Sequence, residues 1–130
     1  MEKNNERSST YTLIMEMDKK LLKKLNEYYD TKDNEIISAT INVENLKLKN
    51  IKDALISIGN IDEEDLKDEL YVGYIKAGIL SLNRAHVAIR KDGNKVLMLV
   101  HSPEGLIKQN TSNQAIEKFE KEIKEIAKYN

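Results

Sequence analysis

Asp92-Gly93 constrains this chain more than any other pair of its residues, because it stands between two apolar runs, Ala85 to Arg90 and Lys95 to Val100. Asp-Gly in that setting signals a hairpin, since a type I′ turn needs positive φ at both central residues. The pair predicts two antiparallel strands late in the chain. Ser102-Pro103-Glu104-Gly105 reads as the turn that ends them. Thr111 then opens a last helix, with Gln114 three residues on completing a capping box. Ile116, Phe119, Ile123 and Ile126 recur at helical spacing and mark its buried stripe. Between them, Glu117, Lys118, Glu120, Lys121, Glu122, Lys124 and Glu125 alternate in sign, as on a solvated face with i,i+4 pairs.

The earlier part of the chain supplies more elements. Met1 to Ser9 reads as a polar tail, and the rest, residues 10–130, as one domain. Tyr11 to Met17 suits a short strand or the lead-in to a helix. Asp18 can cap a helix running to about Asp30, with Leu21, Leu22, Leu25, Tyr28 and Tyr29 at helical spacing. Glu35 to Val43 is rich in β-branched residues and predicts a strand. Asn50 can cap a second helix, with Asp53 reaching back; Ile51, Ala54, Leu55 and Ile58 form its apolar face. Gly59 suits the C′ position, where glycine enters the left-handed region freely. The acidic run of Asp62, Glu63, Glu64, Asp65 and Asp68 suggests a short helical turn with an exposed N-terminus. Leu70 to Leu82 is read as strand, because Gly73 and Gly78 disfavour helix and Tyr71, Val72, Tyr74, Ile75 and Ile79 favour strand. The expected class is α/β (α+β), a central antiparallel sheet flanked by N- and C-terminal helices.

Composition narrows the chemistry. The chain has no cysteine, which excludes disulfides and thiolate chemistry. Its 21 basic and 22 acidic side chains leave no overall basic footprint for nucleic acid. The longest apolar run, Val96 to Val100, is too short to span a bilayer, and the expected address is the cytoplasm. His86 and His101 lack metal-ligand spacing and read as surface or rim histidines. His101-Ser102 places neighbours on opposite strand faces, which does not suit a nucleophile and base. Gly73 and Gly78 lack the Lys and Ser/Thr of a phosphate loop and suit close-approach or bulge positions. The acidic run lacks the alternating pattern of a calcium loop. Nothing in the sequence calls for a cofactor or a metal, and the chain reads as a binding protein rather than an enzyme.

Three stretches resemble profilin, the actin-monomer-binding family. The first is Leu46-Lys47-Leu48-Lys49-Asn50-Ile51-Lys52-Asp53, which enters the helix ending at Gly59. The second is Leu70-Tyr71-Val72-Gly73-Tyr74-Ile75-Lys76, similar to a glycine-containing profilin strand at the same distance from that helix. The third joins Val87-Ala88-Ile89-Arg90-Lys91 and Val96-Leu97-Met98-Leu99-Val100 to Pro103-Glu104-Gly105-Leu106 and the last helix. The likeness spans about residues 46–128. The chain departs from the family in having room for one strand, not two, before Leu46. It also lacks the tryptophan used for polyproline.

The resemblance implies a monomer that binds actin or an actin-like protein and regulates its polymerisation. The implied contact is the sheet edge near Lys76, the loop Gly105, Leu106 and Ile107, and the helix residues Asn113, Gln114, Glu117 and Lys118. Read without the resemblance, those helix residues are a polar surface. Tyr28, Tyr29 and Tyr129 are the aromatic residues available for polyproline, but the sequence supports neither polyproline nor phosphoinositide binding. Two other readings stand beside it: a roadblock or longin scaffold for a small GTPase, which shares the architecture and is favoured by one long helix over 66–82, and, from a different class, a small phage or bacterial effector or immunity protein.

Overall fold

The computed structural model describes residues 19–31, 35–102 and 110–130. In these the chain runs α1 (Lys19–Tyr28), β1 (Ile36–Asn42), α2 (Leu48–Ile58), β2 (Gly59–Asp65), β3 (Leu70–Ala77), a 3-10 turn (Ile79–Ser81), β4 (Asn83–Asp92), β5 (Lys95–His101) and α3 (Thr111–Ala127). The five strands form one sheet in the order β1-β5-β4-β3-β2, and every neighbouring pair is antiparallel. This is the α+β class expected. Asp18, the tail and Tyr11 to Met17 lie outside the described residues.

β2 to β5 form a meander. β1 and β2, at opposite edges, point the same way, so a helix must connect them, and α2 does so. Strand alternation divides the core. Ala39, Ile41, Tyr71, Ile75, Val87, Ile89, Val96, Met98 and Val100 meet α2 and α3 through Ile51, Leu55, Ile116, Phe119 and Ile123. On the other face Ile36, Leu70, Val72, Ala88 and Leu99 meet Leu21 and Leu25 of α1. The first described helix and the last therefore lie on opposite faces. Leu21 and Leu25 are fully buried, and each such side chain stabilises by roughly 1.5–3 kcal/mol.

Several local expectations are corrected. α2 begins at Leu48, so Asn50 is its third residue, not its cap. Its Oδ1 accepts the Lys47 N–H at 2.8 Å, the returning half of a capping box. Gly59 is extended, at φ −169°, and α2 passes directly into β2 there. Its glycine identity follows from packing: a Cβ would sit 1.8 Å from the Tyr74 carbonyl oxygen, and one on Gly73 1.9 Å from that of Asn60. The acidic run is no helical turn. Asp62 to Asp65 belong to the edge strand β2 and Asp68 to the turn after it; β2 has a register shift between Ile61 and Glu63, and charge with a bulge protects such an edge from foreign strands. One strand more than the sequence suggested thus follows α2. Leu70 to Leu82 forms no long helix and is strand only to Ala77.

The hairpin exists, centred one residue later than expected. Asp92 pairs with Lys95, so Gly93 and Asn94 are the turn. Of these only Gly93 has positive φ, 61°, which is the type II′ pattern, not I′. The last helix likewise starts behind Asn110, whose φ is 56°, with Thr111 as its first residue.

Candidate protein-docking surface

Two constellations of side chains stand out, one on each side of the sheet. Under α1, Tyr29 stacks on His86 with ring centroids 3.7 Å apart, and His86 lies over its cross-strand partner His101 at 6.0 Å. His101 Nε2 meets Glu35 Oε1 at 2.9 Å. The Tyr29 hydroxyl donates to Asp62, and that of Tyr28 to Glu63 at 2.7 Å. Burial, and secondarily His101, push the His86 imidazole down to about 4. Burial and the bond to Asp62 push the Tyr29 phenol up. His101 is 2% exposed, a correction to the surface position expected of it. The Nδ1 atoms of both histidines and Ser102 Oγ have no hydrogen-bond partner among the described residues. So Ser102 makes no bond to His101.

The acidic strand β2 serves α1. Lys24 bonds Glu63 at 2.6 Å and lies 3.9 Å from Asp65, while Lys20 pairs with Asp68. The bond to Glu63 raises the Lys24 ammonium, and the bond from Lys24 lowers the Glu63 carboxyl. This set of contacts holds a helix in place.

The second constellation is at the end of the sheet where β3 turns into β4. The strand stops because Gly78 takes φ 77°, followed by Leu80 at 56° and Ser81 at 57°. A leucine in the left-handed region costs roughly 1–3 kcal/mol and persists only when its surroundings impose it. Here α3 imposes it. Gly78 N–H donates to Gln114 Oε1 at 3.1 Å. Asn83 Nδ2 donates to Thr111 Oγ1 at 3.3 Å. Lys118 Nζ donates to the Lys76 carbonyl at 2.6 Å and to Ser81 Oγ at 3.3 Å. The fixed turn presents Leu80 at 83% and Leu82 at 76% exposure. Two neighbouring leucines left so open on an ordered turn are unlike scattered surface apolar residues.

The structure brings together Lys76, Gln114 and Lys118 of the anticipated surface, with Asn113 and Glu117 on the same helical turns. Two corrections apply. Lys76 is on β3, an inner strand; it lies beyond the start of β2, since Gly59 pairs with Ile75. Gln114 makes no capping box, because its amide oxygen goes to Gly78. Gly105, Leu106 and Ile107, with the turn from Pro103, lie outside the described residues. The tyrosines do not converge: Tyr28 and Tyr29 are on the α1 side of the sheet, and Tyr129 follows α3 on the other. The sequence reading missed Leu80 and Leu82 as exposed residues. The available signal was Gly78, read as a strand residue instead of a strand end. Comparison with known protein families, with curated proteins and with solved structures finds no match to this chain.

Proposed function

We propose that this chain is a protein-binding module that docks through the end of its sheet, where the β3–β4 turn meets the first turns of α3. The observation that carries the reading is the pair Leu80 and Leu82, held open on a left-handed turn by Gln114 and Lys118. Preorganising an apolar contact in this way removes ordering entropy from the binding step. The profilin resemblance names monomeric actin as the partner to try first, because Lys76, Gln114 and Lys118 belong to the contact it implies.

The test is a fluorescence assembly assay with monomeric actin and a molar excess of the chain. A slower or less extensive assembly, reversed by Leu80→Ser with Leu82→Ser, supports actin as partner. Unchanged rate and extent remove actin.

A further inference from the structure

The leucine turn also carries a charge signature. Lys76 and Arg84 are cross-strand partners, one pair behind the last ladder pair before the turn, and both are exposed. The alternation that turns Tyr74 and His86 toward α1 places them on that face. Arg84 lies over the Tyr74 ring, 4.4 Å from its centroid, which restrains its guanidinium. Lys118 approaches from α3 on the opposite face, its ammonium anchored on Ser81. Three cations therefore lie on the strands and helix that frame the leucine turn, with two carboxylates in their vicinity: Glu117 on the adjoining helical turn, and Asp62, which accepts from Tyr29 and acts on the same His86 ring as Arg84.

We infer that the turn recognises a protein surface in which an apolar pocket is bordered by carboxylates. This rests on the docking role proposed above and adds the chemistry of the partner. Leu80 and Leu82 enter the pocket, and Lys76 and Arg84 pair with its acidic rim. Apolar contact at the centre with charge at the edge is the usual anatomy of a specific interface. The rim charges speed encounter and reject basic surfaces. An anionic lipid surface shares part of this chemistry. It makes no use of a turn fixed from α3 by three side chains, whereas a shaped protein pocket does.

The experiment is selection of a random 16-residue peptide library against the immobilised chain, with the most enriched peptides measured by titration. The expected result is a consensus of bulky apolar residues flanked by Asp or Glu. Its affinity should fall at least tenfold in Leu80→Ser with Leu82→Ser, and should fall in Lys76→Glu in a way that high salt mimics. Both variants change exposed side chains, and an unchanged melting curve verifies that they fold. A basic consensus, no consensus, or acidic peptides that bind the variants equally well would overturn the inference. A basic or uncharged consensus that still loses affinity in the leucine variant would overturn the inference alone and leave the docking role standing, whereas peptides indifferent to the leucines would overturn both. Sedimentation with phosphatidylcholine vesicles containing phosphatidylserine, lost in the leucine variant, would assign the turn to lipid and overturn the inference as well.

Discussion

The stack of Tyr29 on His86 makes stability depend on pH in a direction opposite to that of a histidine gaining an acidic partner. His86 has its folded value lowered from 6.5 to about 4, chiefly by burial. The unfolded chain therefore takes up a proton that the folded chain refuses. Stability is full above the unfolded value and is lost as pH falls from about 6.5 toward 4. Between pH 7 and pH 5 an insulated group of this kind would cost about 2 kcal/mol. His86 is only half-buried, and screening by solvent reduces the figure to about 1 kcal/mol. The carboxyls of Glu63 and Asp68 are held below their ordinary values by Lys24 and Lys20, so they stay ionised across that window. Arg84 and Asp62 are the other charged neighbours of His86.

The measurement is urea unfolding at pH 7 and pH 5, for the wild type and for His86→Phe. Phenylalanine keeps a ring against Tyr29 and cannot be protonated. With urea slopes of roughly 1–3 kcal/mol/M, the wild-type midpoint should drop by about 0.3–1 M on acidification, and the variant should drop by much less. Equal drops in both proteins would refute the assignment of the effect to His86.

Three further substitutions have expected outcomes. Gly73→Ala should destabilise by about 2 kcal/mol or more, because its Cβ meets a neighbouring strand's backbone at 1.9 Å and that backbone must move. Gly93→Ala, with open space around it but a φ of 61°, should lose only about 1 kcal/mol; urea midpoints in the reverse order would contradict the close approach of β2 and β3. Phe119→Ala should cost about 3–5 kcal/mol, since the ring is fully buried between α3 and the sheet. A loss below about 1.5 kcal/mol in thermal or urea unfolding would mean that this core is not packed as described.

Elements with a strong apolar period could be read directly. The stripe Ile116, Phe119 and Ile123, the runs of β4 and β5, and the β-branched β1 all fold as their patterns imply. β2 could not be read that way, because Asp62 to Asp65 has no apolar alternation. Its strand state depends on pairing with β3 in a hairpin that no Gly-rich turn announces, and on the lysines of α1, which are distant in sequence. The histidine pair was nearly legible. Centring the turn on Gly93-Asn94 places His86 opposite His101, whereas centring it on Asp92-Gly93 shifts the ladder and hides the pairing. The docking turn needed knowledge of Gly78's conformation and of where the Gln114 and Lys118 side chains go, and neither is written in a local pattern.

The order β1-β5-β4-β3-β2 also bears on how the chain reaches this state. Each pairing within the meander closes a short loop, and the β4–β5 pairing closes only the two residues Gly93 and Asn94. β1 is different, because Ile36 finds its partner at His101, with α2 and three other strands intervening. Loop-closure entropy makes that contact the most expensive of the ladder to form early. The meander can therefore condense as a nucleus while β1 is still unattached. Substitutions in β1 would then act mainly on the unfolding rate, and those in the β4–β5 hairpin on the folding rate.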